Sequence, residues 1–325
     1  MARVARLFAA IASMLCALAP AAAISQAFPS KPVKIIVPIP PGPSADLLAR
    51  LMAPKLSTAL GQPVIVENHA GAAGVIGADM VARAAPDGHM ILIASTSQMV
   101  TAPLLSKSIP YDPVKDFTPI SMAVEAFTLL VMNPKVPVSS FKELIDYAKR
   151  NPGKLHYGTA GVGSFFHLVG EAVNIAAGTN MVHVPYKGVV QSQNDVVSGV
   201  IELSFAAVAS STPFVKAGKL KVIAIVEKNR YKGYPDVQTI AEVVPGFEKP
   251  PAWFSFFGPA GLPKPVLDRL HGEIVKALHA PDVEKWLATN SLQLIASTPQ
   301  ELGANLKNAL QLYAKIIKAA RIKPE

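Results

Sequence analysis

Cysteine is nearly missing from this 325-residue chain: Cys16 is the only one, and it sits inside an apolar N-terminal run. The rest of the chain therefore holds no disulfide, no thiol nucleophile and no cysteine ligand for a metal. Seven histidines (69, 89, 156, 167, 183, 271 and 279) are scattered without i, i+4 pairing or neighbouring carboxylate clusters, so no metal motif stands out. Aromatic residues make up 7% of the chain, with two tryptophans, and no basic run reaches five residues. The interleaving of stacking and basic side chains that nucleic-acid binding uses is absent. Past the N-terminus, no apolar run approaches the ~20 residues that span a bilayer. A G-x-S-x-G elbow is missing, and no S-x-x-K arrangement stands in a suitable place, which leaves a hydrolase without an obvious nucleophile. Gly71-x-x-Gly74-x-x-Gly77 lacks the tight first G-x-G of a dinucleotide loop, so it reads as a packing turn, and no cofactor is expected.

What is present begins with Arg3 and Arg6, an apolar run from Leu7 to Leu18, and then Ala19-Pro20-Ala21-Ala22-Ala23. This three-part pattern is that of a secretory signal over residues 1–27, with cleavage after Ala23 or after Ala27. Leu15 is too large to precede a lipid-modified cysteine, so a lipoprotein is not expected. Export without disulfides fits a bacterial periplasm. The formal charge is +9, or +7 once Arg3 and Arg6 are removed, an excess that suits an anionic ligand and equally an ordinary soluble surface.

With 50% hydrophobic residues, the chain is long enough for two domains. Val33 to Pro38 reads as a buried strand, and Leu47 to Met52 has helical spacing. Between them, four prolines (38, 40, 41 and 43) remove backbone donors, which concentrates the free amides at Gly42, Ser44 and Ala45, where a helix begins. Such a helix start attracts anions, and Ser44 or Asp46 can cap its first turn. Strands at 63–67 and 90–94 with a helix from Val75 to Ala85 complete a β-α-β-α-β unit, hence a parallel sheet. A second alternating unit follows, with a strand at 127–132, a helix at 141–150 and a strand at 155–159. Gly161-Val162-Gly163-Ser164 then turns into a helix from Phe165 to Ala177, a counterpart of the opening turn. Further strands are expected at 181–184, 201–206, 220–226 and 253–257, and helices at 189–197, 264–279, 282–289 and 299–320. Two such units, with the last strand and helices returning to the first, predict two lobes joined by crossings near Ala126 and near Pro250-Pro251, and a ligand cleft between them.

Ser95-Thr96-Ser97 ends the third strand, where α/β folds bind ligands, and its hydroxyls can complete a carboxylate's hydrogen bonds or cap the segment near Gln98. His167 can donate to an anion or bond its own loop. Phe165 and Phe166 pack between helix and sheet, or one of them lines the cleft, favouring an aromatic or apolar ligand body.

Several runs together resemble one family. Phe28-Pro29-Ser30-Lys31-Pro32-Val33, Pro40-Pro41-Gly42, Ala59-Leu60-Gly61-Gln62-Pro63, Gly71-Ala72-Ala73-Gly74, Ala85-Pro86-Asp87-Gly88, Pro110-Tyr111-Asp112-Pro113, Val182-His183-Val184-Pro185-Tyr186-Lys187-Gly188 and the closing Arg321-Ile322-Lys323-Pro324-Glu325 are similar to landmarks of the tripartite tricarboxylate transporter substrate-binding proteins, the Bug family. The resemblance covers the chain after the leader. It implies a two-lobe α/β periplasmic binding protein of type II, each lobe a mainly parallel sheet flanked by helices. The lobe assignment is then 28–126 plus 251–325 for lobe I and 127–250 for lobe II. It further implies a monomeric receptor that holds a small carboxylate by two loops and delivers it to membrane permease subunits. Carried onto this sequence, the site comprises Pro41, Gly42, Ser44, Ala45, Asp46, Ser95, Thr96, Ser97, Ala160, Gly161, Gly163, Ser164, Phe165, Phe166, His167, Tyr186 and Ala206. Pro43 replaces a glycine usual in the family, and Ala206-Ala207 stand near where an acidic residue is common, so a ligand ammonium lacks a partner. The expected ligand is an aromatic or apolar carboxylate. A receptor that docks a membrane sensor kinase and an exported hydrolase are the rival readings.

Overall fold

The computed structural model describes residues 28–323, so the leader lies outside the described residues. Two sheets carry the fold. The first takes β1 (Val33–Val37), β2 (Val64–Asn68), β3 (Met90–Ser95), β4 (Phe117–Ala126), β10 (Trp253–Pro259) and β11 (Leu292–Leu294), in the order β11-β4-β10-β3-β1-β2. The second takes β5 (Thr128–Met132), β6 (His156–Thr159), β7 (Val182–Pro185), β8 (Leu203–Ala207) and β9 (Lys221–Ile225), in the order β7-β6-β8-β5-β9. The chain passes from the first sheet to the second between Ala126 and Thr128, and returns between Ile225 and Trp253.

The two-lobe α/β architecture expected from the sequence is what the chain forms. Parallel pairing holds for β2-β1-β3 and for β7-β6-β8, the βαβ units whose crossover helices lie on the sheet faces. The strands next to the crossings, β4, β10, β5 and β9, pair antiparallel instead, so both sheets are mixed. A chain that leaves a sheet and comes back from the other side re-enters in the opposite sense.

In β1, Val33, Ile35 and Val37 face one layer and Ile36 the other, the alternation of a strand covered on both faces. On the first face they meet α1 (Ser44–Leu60), α9 (Lys264–Leu278) and α10 (Pro281–Thr289) through Leu48, Met52, Ile274 and Leu287. On the second face, Ile36 and Leu92 pack with α2 (Val75–Ala82). That cluster continues through Leu306, Tyr313 and Ile316 of α11 (Pro299–Ala319) to Leu168, Val169 and Ala172 of α5 (Phe165–Ala177), and so into the second sheet. One apolar cluster therefore runs from lobe to lobe. The outer face of the second sheet closes on α6 (Val189–Ser198) and α7 (Val208–Lys216), through Leu129, Val131 and Val196.

Among the elements that escaped the sequence reading, three have a plain physical reason. The ten-residue β4 runs through Pro119, and the ladder with β10 shifts register between Phe256 and Phe257, where Phe257 faces Pro119. A proline is accommodated where a ladder is already irregular. β11 is three residues long, below what periodicity can detect, and α7 carries an internal Pro213.

Candidate functional site

The opening turn is built inward. Gly42 has φ +110°, a conformation reserved for glycine, and its amide donates to Asp46 Oδ2 at 2.9 Å. Asp46 is buried, and its carboxylate also accepts from Arg50 Nε at 3.0 Å and Asn68 Nδ2 at 2.9 Å. Burial pushes this carboxyl up, but Arg50, the Gly42 amide and Asn68 outweigh burial and hold it below the usual range. Two expectations are corrected. The Gly42 amide is spent on Asp46 rather than free for an anion, because a carboxylate four residues ahead folds back onto it. The N-cap is Pro43, with no side-chain cap, so neither Ser44 nor Asp46 caps the helix. The amides of Ser44 and Ala45, the first two of α1, find no acceptor among the described residues. Pro41 is exposed beside them.

The second turn repeats this plan. Ser164 is the N-cap of α5: its hydroxyl donates to the Gly161 carbonyl at 2.8 Å and accepts from the His167 amide at 3.4 Å. The Gly161 amide donates to Thr159 Oγ1, and the Gly163 amide to His167 Nδ1 at 3.0 Å. The Phe165 and Phe166 amides, first and second in the helix, have no acceptor among the described residues. Accepting at Nδ1 assigns the His167 proton to Nε2. The buried His167 ring stacks on His183, centroids 3.7 Å apart and planes 15° apart, while His183 Nε2 lies 2.6 Å from Thr159 Oγ1. Burial lowers the His167 pKa to about 4, and burial together with the neighbouring ring lowers that of His183 to about 4, so both are neutral near pH 7. His167 thus bonds its own loop. Ser164 and His167 do not form a nucleophile–base pair, since the hydroxyl and Nδ1 are each bonded elsewhere.

Gly74 and Gly77 bring the glycine-rich turn against the start of the first one: a Cβ on Gly74 would stand 2.8 Å from the Pro38 carbonyl oxygen and 2.5 Å from Gln98 Nε2. Gln98, buried, donates to the Ala73 carbonyl and accepts from both the amide and the hydroxyl of Ser95. Ser95 Oγ in turn accepts from the Ser97 amide, while the N-cap of the tight turn Ser97–Thr101 is Thr96, with no side-chain cap bond; Thr96 is buried and Ser97 exposed. That turn continues into α3 (Ala102–Leu105), where a Cβ on Gly163 would come within 2.5 Å of Leu105 Cδ1. The first turn, the glycine turn, Ser95–Gln98 and the second turn therefore form one contiguous neighbourhood spanning both lobes. Ala160 is exposed at its rim. Phe165 and Phe166, ring centroids 5.3 Å apart, are both half-buried against the shared cluster.

Two expected residues stand apart. Tyr186 is tied to this neighbourhood through its amide on the Thr159 carbonyl, but its hydroxyl donates to Asp195 at 2.7 Å. Ala206 has no exposed surface, being enclosed within β8; the half-buried neighbour is Ala207, the N-cap of α7. Gln98, Asn68 and His183 were not singled out as site residues because each acts on a segment distant in the chain. Arg50, four residues after Asp46, was missed because its role depends on Asp46 turning inward to the Gly42 amide.

The arrangement offers two helix starts whose leading amides are unbonded, while Asp46, Ser95, Ser164 and His167 Nδ1 beside them are already engaged and the Ser44 hydroxyl has no partner among the described residues. That is a place for anionic oxygen rather than for acid–base chemistry. Comparison with known proteins agrees on the class. A family profile, tripartite tricarboxylate transporter family receptor, matches residues 48–322. The BugT protein of Bordetella pertussis is 33% identical over 316 residues, covering 96% of this chain and 97% of its own. A solved periplasmic transporter is 40% identical, with TM-score 0.73 over 92% of this chain and all of its own. A protein of R. palustris solved with adipate is 30% identical, with TM-score 0.74 over 92% of this chain and all of its own.

Proposed function

Because the chain belongs to the tripartite tricarboxylate transporter receptor family of solute-binding proteins, we propose that it captures a small organic carboxylate of apolar body between its lobes and delivers it to membrane permease subunits. One observation carries the reading: the free leading amides of α1 and α5. A carboxylate oxygen at such a helix start gains hydrogen bonds and the favourable end of the helix dipole. Closure is then favoured because only the closed form serves the ligand from both lobes. Residues 1–27 act as the export signal, and lobes 28–126 plus 251–325 and 127–250 move about the two crossings. The half-buried Phe165 and Phe166 and the adipate held by the R. palustris relative support an apolar ligand body. The test is calorimetric titration with adipate, benzoate, citrate and aspartate. Binding of citrate or aspartate alone refutes the apolar body. Ser44→Pro deletes one of the two free α1 amides at the helix position where proline is best tolerated, so adipate affinity falls about tenfold while the fold persists. Unchanged affinity in the folded variant refutes the amide clamp.

A further inference from the structure

Beside the crossings lies a cavity of about 830 Å³, with Phe127, Tyr231 and Phe247 among its walls and Lys249 in its lining. Lys249 stands where three segments meet. Its Nζ is 3.3 Å from Glu125 Oε2 and 3.3 Å from Glu227 Oε1, with the lysine side chain 15% exposed and that of Glu227 6% exposed. Glu125 belongs to the first lobe: it lies in β4, opposite Trp253 and Gln293. Glu227 belongs to the second: it follows β9, and its Oε2 accepts from the amide of Thr128, the first residue after the outgoing crossing, at 2.9 Å. Lys249 itself lies on the returning segment, just before the Ala252 carbonyl accepts from the Ala126 amide and joins the two crossings. Glu227 Oε1 has no hydrogen bond, so the ammonium is what compensates it.

We propose that Lys249 is a hinge latch, which sets the balance between open and closed lobes by holding a carboxylate of each lobe on one ammonium. This rests on the reading of two lobes that close on a ligand. The lobes touch in this arrangement, at Gly163 against Leu105, so the latch belongs to the closed form. Glu125 lies just before the outgoing crossing and Glu227 is bonded to the first residue after it, so a change of angle at the crossing alters the distance between them. Without the lysine, two acids confront each other at the hinge, one of them buried and uncompensated. The other cations around the cavity do not replace it: Arg230 is committed to Glu242 at 2.9 and 2.6 Å, and Lys228 and Lys232 are exposed to solvent.

The mature chain's lack of cysteine makes lobe separation directly measurable. Spin labels on Ile65→Cys in lobe I and Val190→Cys in lobe II, both exposed, in a Cys16→Ser background, report the inter-lobe distance without ligand. Lys249→Met raises the population at longer distance about tenfold, Lys249→Arg restores the original distribution, and Lys249→Met with Glu227→Gln returns part of the way. Should Lys249→Met fail to fold, Glu125→Gln, which removes one partner only, shifts the distribution in the same direction by less. A distribution unmoved by Lys249→Met, or by Glu125→Gln where that variant must stand in, overturns the latch. Adipate that fails to reduce the longer-distance population of Lys249→Met counts instead against the ligand reading, which separates the two.

Discussion

Acid should loosen the second turn before it reaches most of the molecule. The His167 ring is buried and stacked on the half-buried His183, and each is lowered to about 4, whereas an unfolded histidine titrates near 6.5. Between those values the unfolded chain binds protons that the native pair refuses. Stability is therefore complete above about pH 6.5 and is lost as pH falls toward 4. At about 1.4 kcal/mol per pH unit of displacement, each ring is worth on the order of 3 kcal/mol at the low end, and roughly 2 kcal/mol at pH 5. The rings perturb one another, so about 3 kcal/mol for the pair at pH 5 is the working figure, or about 5 °C in melting temperature for a chain of this size.

The assay is thermal unfolding at pH 7.5, 6, 5 and 4.5, for the wild type and for a His167→Gln, His183→Gln variant. Glutamine keeps an acceptor for the Gly163 amide and a polar partner for Thr159, but does not titrate. Burial raises the pKa of Glu171 and Glu227, so these acids take up protons in the folded state and oppose the loss. They are present in both proteins and cancel in the difference. The wild type loses stability faster than the variant as pH falls. Parallel pH dependences refute the burial of the neutral pair.

Two further outcomes follow from the same neighbourhood. Asp46→Ala leaves the Gly42 amide, Arg50 and Asn68 without their common acceptor and costs about 2–3 kcal/mol in urea unfolding, with weaker adipate binding as the turn loosens; a cost below 1 kcal/mol contradicts the anchoring role. Gly74→Ala meets the Pro38 carbonyl at 2.8 Å and requires φ +92°, so it lowers the melting temperature by several degrees; unchanged melting shows that the turn can shift freely.

The sequence made the two strand-to-helix turns visible, since proline and glycine restrict local backbone whatever surrounds them. It could not reveal that Asp46 would claim the Gly42 amide, because that choice depends on Arg50 and on Asn68 of a neighbouring strand holding the carboxylate in place. His183 was legible only as part of a motif, its stacking partner lying sixteen residues earlier on another element. The Ser95 hydroxyl bonds the Ser97 amide without being the N-cap, which is Thr96, and the residue that organises it, Gln98, becomes significant only once the glycine turn is folded against it. That Ala206 is enclosed was not legible either: alternation puts its side chain inside the sheet, and the next residue stands at the helix start.

A common economy governs both turns. Asp46, Ser95, Ser164 and His167 are polar side chains beside the helix starts, and each is bonded to its own or an adjoining turn. On the proposed reading, the leading main-chain amides are donors left for a ligand, together with the Ser44 hydroxyl and the His167 Nε2–H, which have no partner among the described residues. Main-chain donors carry no preference among carboxylates. Discrimination between acids must then come from the groups packed around those amides. Phe165, Phe166 and Leu105 are the apolar side chains there, and Leu105 stands where the second turn meets the first lobe. On the proposed reading, main-chain donors supply the common affinity for carboxylates, and these apolar neighbours decide which acid body closes the lobes.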